Sequence, residues 1–176
     1  RADAVCFGSL AQRAGGSRET IRRALAATRP ECLLICDVNL RQRYFTRKIL
    51  AESFALANVL KLNDEELPVI VELLGLPAEA DAAMAALLER FSLQLVILTC
   101  GATGSVLMSP AETSRQSGEP VTVVDSVGAG DAFTATVALG LLRGESLTTI
   151  HDRAERVARY VCTQAGATPE LPDALR

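Results

Sequence analysis

The residues with most to offer chemically lie between Val121 and Phe133, in the run Val-Thr-Val-Val-Asp-Ser-Val-Gly-Ala-Gly-Asp-Ala-Phe. A β-branched stretch meets a small-residue turn there, and a helix follows. Gly128, Ala129 and Gly130 carry little or no side chain, so their backbone N–H groups can approach a ligand where a predicted helix, Asp131–Arg143, begins. A helix N-terminus offers unpaired N–H donors and about half a positive charge, which suits a phosphate. Asp131 at the mouth of such a site needs a reason, because a carboxylate repels an anion. One reason is capping: a first-turn Asp accepts N–H bonds and complements the helix dipole, for about 0.5–2 kcal/mol. The other is a base that takes a proton from an attacking hydroxyl while the N–H groups hold a phosphoryl group. The two roles are compatible.

Stepwise along the chain, the apolar pattern predicts the elements that must position this turn. Ala4–Phe7 reads as a short buried strand, followed by a loop to Ser17, which can cap a helix Arg18–Ala27. Cys32–Val38 is a continuous apolar strand ending around Asp37, and Thr46 starts a helix to about Ala57. A third strand, Val59–Leu62, leads to helices Asn63–Leu74, closed by Gly75, and Glu79–Phe91. Leu93–Cys100 is a fourth strand, turned through Gly101–Gly104 into Ser105–Met108. A polar loop from Ser109 to Pro120 enters a strand Val121–Val124, and a helix Leu147–Ala165, capped by Ser146, closes the chain. Apolar strands alternating with amphipathic helices imply an α/β fold: one domain over residues 1–176 with a mainly parallel sheet covered on both faces.

In such sheets ligands bind at the carboxyl ends of the strands. Three further strand ends carry polar or glycine clusters: Asp37-Val-Asn39-Leu-Arg41, Lys61-Leu-Asn63-Asp64-Glu65-Glu66 and Thr99-Cys-Gly101-Ala102-Thr-Gly104. The expected sheet would bring all of them to one edge with the turn. Arg41 offers a guanidinium fork that fits phosphate or carboxylate, or forms a surface salt bridge. Asn63 and Glu66 have the spacing of a capping box; they could equally hold phosphate-bound magnesium through water. Thr99 to Gly104 is a hairpin turn, or one that also admits a nucleotide's phosphates.

Composition narrows the choices. A net charge of −3 with 4% aromatic residues gives neither the basic patch nor the stacking platform of a nucleic-acid binder. No apolar run reaches the roughly 18–20 residues of a membrane span, and no basic-then-apolar signal peptide opens the chain, which points to the cytoplasm. The five cysteines form no Cys-x-x-Cys pair and, four of them lying in apolar strand-like runs, read as buried reduced thiols. The single His151, in a polar helix beside Asp152, reads as a surface residue. Absence of Gly-x-x-x-x-Gly-Lys-Ser/Thr rules out a P-loop, and Gly128-Ala-Gly130 continues into Asp-Ala-Phe where a dinucleotide fold wants its third glycine. The chain starts at Arg1 and runs at once into an apolar strand, the look of a fragment.

Taken together, Asp125-Ser-Val-Gly-Ala-Gly-Asp131-Ala-Phe resembles the C-terminal signature of the ribokinase-like, PfkB-type carbohydrate kinases. The agreement runs in order through Asp37-x-Asn39-x-Arg41, Asn63-x-x-Glu66, Thr99-x-Gly101-x-x-Gly104 and Gly166-Ala167, with a lean toward the fructokinase and 2-keto-3-deoxygluconate kinase branch. The resemblance implies a three-layer α/β/α sandwich of which the N-terminal part and lid are absent, and an ATP- and magnesium-dependent kinase acting on a small sugar or sugar acid. Asp131 would be the base, and Gly128, Ala129 and Gly130 the anion hole. Asn63 and Glu66 would serve magnesium and the phosphates, Thr99, Gly101, Ala102 and Gly104 the nucleotide, and Asn39 and Arg41 the phosphates or substrate. Asp125 and the carbonyls of Val127 and Gly166 match positions that hold a monovalent cation, such as potassium, in some members; Glu170 stands where ribokinase has a serine. A chain without the sugar-binding segment is expected to be inactive or nearly so, and to associate, for instance as a homodimer, through its exposed apolar sheet edge. A non-catalytic nucleotide-binding module derived from such a kinase is the alternative.

Overall fold

The computed structural model describes residues 2–175. Six strands and six helices form an α/β chain: β1 (Ala4–Phe7), α1 (Gly15–Ala26), β2 (Leu33–Asp37), α2 (Arg47–Leu56), β3 (Val59–Asn63), α3 (Glu66–Leu74), α4 (Ala80–Phe91), β4 (Leu95–Thr99), β5 (Gly104–Met108), β6 (Thr113–Ser117), α5 (Ala129–Leu142) and α6 (Leu147–Cys162). The sheet keeps the order β1 to β6. β1 and β2 are parallel with Ala4 opposite Leu33, and β2 and β3 are parallel with Asp37 opposite Lys61. Two compact units divide the chain: residues 1–98 with 108–112, and residues 99–107 with 113–176.

In the first unit the core gathers on the apolar strands β2 to β4, where Ile35, Leu60, Leu62 and Ile97 are fully buried, with Phe54, Ile70, Met84 and Leu87 from the helices. Local chemistry sets the helix ends. Thr46 Oγ1 accepts the Ile49 N–H at 3.2 Å to start α2. Glu79 accepts from Asp81 and Ala82 to start α4. Gly75, at φ 67°, closes α3 in the left-handed region open to glycine. β1 differs from its expectation as a buried strand. It is the edge of the sheet, only Phe7 is buried, and Cys6 is exposed. Cys32 and Cys36 are buried free thiols as expected, and burial pushes the Cys36 thiol pKa up. α1 starts at Gly15 with no side-chain cap, so Ser17 lies inside the helix rather than before it.

The second unit departs further. Residues 121–124 are not a strand; Val121, Val123 and Val124 are exposed, the last at 62%. The strand is instead the polar segment Thr113–Ser117, whose side chains alternate between exposed and half-buried. Strand preference reflects fit to a half-buried pleated surface more than an intrinsic backbone choice, so β-branching alone misled. α5 and α6 pack against each other, with Gly140 providing room: a Cβ there would lie 2.5 Å from Ile150. His151 is the second correction. It is 0% exposed, on the stripe Leu147, Ile150, His151, Ala154, Val157, Val161 that α6 buries at helical spacing.

The His151 ring is fully engaged. Its Nδ1 and the Ser114 Oγ are 2.8 Å apart, its Nε2 and the Ser105 Oγ 2.8 Å, and the Ser105 hydroxyl donates to Glu155. Because Ser105 gives its proton to a carboxylate, its oxygen accepts from His151 Nε2, and Nδ1 faces the Ser114 hydroxyl. Burial lowers the His151 pKa to about 4, the nearby Asp152 charge acting in the opposite direction. No helix among the described residues is long and apolar enough to cross a membrane.

Candidate active site

Each unit carries its own group of the expected residues. In the first, β2 and β3 end side by side. The buried Asp37 carboxylate pairs with Lys61 Nζ at 3.1 Å, and the Val38 N–H donates to the Lys61 carbonyl at 3.0 Å. Ser9 braces the same turn, donating from its hydroxyl to the Val38 carbonyl at 2.7 Å. Asn63 and Glu66 form the expected capping box: Asn63 Oδ1 accepts the N–H groups of Glu65 and Glu66 at 3.0 and 2.8 Å, and Glu66 Oε2 accepts the Asn63 N–H at 2.9 Å. Helix α3 therefore begins at Glu66, the residues Asn63–Glu65 forming its entrance.

The other Glu66 oxygen reaches out of the box. Oε1 accepts the Leu40 N–H at 2.7 Å, so one carboxylate joins the β3 end to the Asn39–Arg41 loop. Asn39 holds a left-handed backbone, φ 45°, and its Oδ1 receives an Arg41 guanidinium N–H at 3.3 Å. Arg41 is exposed and meets no carboxylate among the described residues, so it is not the surface salt bridge the sequence also allowed.

The second unit holds the glycine turns. Gly101–Thr103 is a single 3₁₀ turn, closed by the Cys100 N–H on the Gly104 carbonyl at 2.8 Å. Gly104 and Gly118 are required by space: a Cβ on the first would lie 2.0 Å from the Gln116 carbonyl, and on the second 2.0 Å from that of Ala102. Asp125 is held by its own loop, Oδ1 accepting the Val127 N–H at 2.9 Å and Oδ2 the Gly166 N–H at 3.2 Å. The Cys162 carbonyl at the end of α6 takes the N–H groups of Val124 and Asp125 at 2.9 and 3.3 Å. Gly128, φ 86°, lies so close to Ala167 that a Cβ would be 2.1 Å from its carbonyl oxygen. Asp125, Val127, Gly128, Gly166 and Ala167 thus form one knot.

α5 leaves that knot at Ala129. The Ala129 N–H is taken by the Ser126 carbonyl at 3.3 Å, whereas those of Gly128, Gly130 and Asp131 have no acceptor among the described residues. The Asp131 N–H is a donor that reading the glycines alone missed; its position in the first turn is the signal. The Asp131 side chain is exposed, makes no capping bond, and has no partner among the described residues. A helix N-terminus with open N–H donors and an exposed first-turn carboxylate is the result, an arrangement whose donors suit an anion.

Metal ligands are few. Among the described residues no three His, Cys, Asp or Glu side chains gather as a metal site, and both Glu66 oxygens already accept a backbone N–H. Such donors suit a magnesium ion held chiefly by phosphates and its own water, not a protein cage.

Residues 3–174 match the sequence profile described as the pfkB family carbohydrate kinase. A fructokinase of Escherichia coli is 31% identical over 180 residues, which cover 93% of this chain and 56% of the relative. Among solved structures, aminoimidazole riboside kinase from Salmonella enterica, complexed with aminoimidazole riboside and an ATP analogue, superposes with a TM-score of 0.81 at 24% identity, over 99% of this chain and 62% of that one. A double-mutant fructokinase of Vibrio cholerae O395, with fructose, ADP and potassium ion bound, gives 0.79 at 25% identity over 95% and 56%. The chain spans little more than half the length of the fructokinases it matches.

Proposed function

The chain belongs to the pfkB family of carbohydrate kinases and has a ribokinase-like α/β fold, and from that footing we propose that it is the C-terminal, nucleotide-binding and catalytic part of an ATP-dependent kinase that phosphorylates a sugar hydroxymethyl group. The observation that carries this reading is the Asp131 carboxylate, exposed and unbonded on the first turn of α5 beside the open N–H groups of Gly128, Gly130 and Asp131. A carboxylate committed to capping would be bonded to those donors; one kept free can take the hydroxyl proton of an acceptor sugar. The open N–H groups then face the oxygens of the transferring phosphoryl, and such charge stabilisation is the main demand of phosphoryl transfer.

The remaining assignments follow from the same chemistry. Thr99, Gly101, Ala102 and Gly104 line the nucleotide site, Asn39 and Arg41 face phosphates or substrate, and Asn63 and Glu66 serve a hydrated magnesium. Magnesium, when bound, neutralises the charge of the phosphates. The knot of Asp125, Val127 and Gly166 is the candidate for a potassium site, in keeping with the potassium bound in the Vibrio cholerae enzyme. The substrate class is a ketose or sugar acid, by likeness to the fructokinases, and the place of work is the cytoplasm.

The test is to assay the full-length protein with Mg·ATP against a panel of ketoses and sugar acids. Phosphorylation of one of them is expected, and Asp131→Asn should lower turnover by about 10²- to 10⁴-fold, the range of a general base, while sparing ATP binding. Undiminished turnover in Asp131→Asn would remove the base. Tight ATP binding with no sugar phosphorylated would favour a nucleotide-binding module without turnover.

A further inference from the structure

The Glu66 carboxylate ties the end of β3 to the loop after β2, and its burial sets what it can do. It is 5% exposed, and its two oxygens accept two backbone N–H groups, Asn63 at 2.9 Å and Leu40 at 2.7 Å. Leu40 is flanked by Asn39, whose left-handed backbone is uncommon for a residue with a side chain, and by Arg41. A non-glycine residue keeps such a conformation when its surroundings over-determine it. Here three hydrogen bonds hold the loop: the Leu40 N–H on Glu66, the Arg41 guanidinium on Asn39 Oδ1 and the Ser9 hydroxyl on the Asn39 carbonyl. Burial strengthens a charge-assisted bond and raises the penalty for losing it.

We infer that Glu66 is a positioning residue, whose carboxylate clasps the Leu40 N–H and so presents the exposed Arg41 guanidinium to the phosphates of a nucleoside triphosphate. The inference rests on the kinase reading for the identity of the anion. It differs from that reading in making the effect of Glu66 on Mg·ATP binding travel through Arg41 instead of through magnesium. The chemistry is specific to a carboxylate. A glutamine offers one oxygen and one NH2 group, and the NH2 group cannot accept a backbone N–H, so one of the two loops must be released.

The experiment is a double-mutant cycle on the full-length protein, with Arg41→Ala, Glu66→Gln and the pair, titrated with Mg·ATP at low and saturating magnesium. Each single variant is expected to weaken Mg·ATP binding about tenfold, the scale of one hydrogen bond to a charged group. The pair should be no more than about twofold worse than Arg41→Ala alone, because neighbours that act through one another are not additive. Extra magnesium should not restore Glu66→Gln. Additive losses, restoration by magnesium, or normal binding by Arg41→Ala would each overturn the inference.

Hydrogen exchange at the Leu40 amide reads the clasp without any ligand. It should be protected in the unsubstituted protein and exchange at least tenfold faster in Glu66→Gln; an unprotected Leu40 amide overturns the inference even should the variant not fold. Failure of the kinase reading shows itself separately, as an unsubstituted protein that neither binds Mg·ATP nor transfers its phosphate.

Discussion

Around the ends of β2 and β3 the polar groups answer one another: Asp37 with Lys61, Asn63 with Glu66, Glu66 with Leu40, Arg41 with Asn39. At the start of α5 they do not. Asp131 has no partner among the described residues, and three N–H groups point at no described acceptor. The first region is built to hold a shape and the second to keep reactive groups uncommitted. That difference makes opposite predictions for the stability cost of equally polar substitutions.

The sharpest way to break the contrast is Asp131→Asn, which should leave the unfolding free energy within about 0.5 kcal/mol of the parent although turnover collapses, because an exposed, unpartnered carboxylate contributes little to folding. A large thermal shift would mean that Asp131 is a structural cap after all. Lys61→Met should do the reverse. It removes the ion-pair partner of the buried Asp37 carboxylate, at a cost of about 3–5 kcal/mol in chemical denaturation.

His151 sharpens the comparison through pH. Its folded pKa of about 4 lies below the ordinary 6.5, so between those values the unfolded chain binds the extra proton. Stability is therefore full above pH 6.5 and is lost as pH falls toward 4, with a slope of up to about 1.4 kcal/mol per pH unit. Denaturant unfolding of His151→Gln across that window should show a flatter profile. A parent profile that is already flat would contradict the buried neutral ring. The smallest effect belongs to Asn63→Ala, which removes the α3 cap and should cost about 1–2 kcal/mol by thermal unfolding.

Much of this was legible in the chain because it is local. The Asn63–Glu66 box, the Thr46 cap and the Gly75 stop are decided within a few residues, and each appears in the structure. The parallel β1 to β3 pairing followed from apolar strands alternating with helices. What was not legible depends on contacts distant in sequence. Leu40 and Glu66 are 26 residues apart, and no spacing rule announces a clasp between them. The burial of His151 is hidden by its polar sequence neighbours, although it sits on the helical stripe that α6 buries. The valines at 121, 123 and 124 differ for a third reason: β-branching suits a strand only where a surface exists to cover it, and these side chains are exposed.

The crossing of Gly104 and Gly118 bears on how this sequence can vary. Each would drive a Cβ into a backbone carbonyl at 2.0 Å, and backbone has no alternative rotamer to yield. Tolerance in a saturation library should therefore fall to nothing at those two positions, whatever the replacement's polarity. At the exposed tip, Gly101 is held to glycine by its φ of 53°, and Ala102 has more steric freedom. The hairpin between Gly104 and Gly118 is constrained first by volume and only then by chemistry, so that sequence drift must enter through the tip.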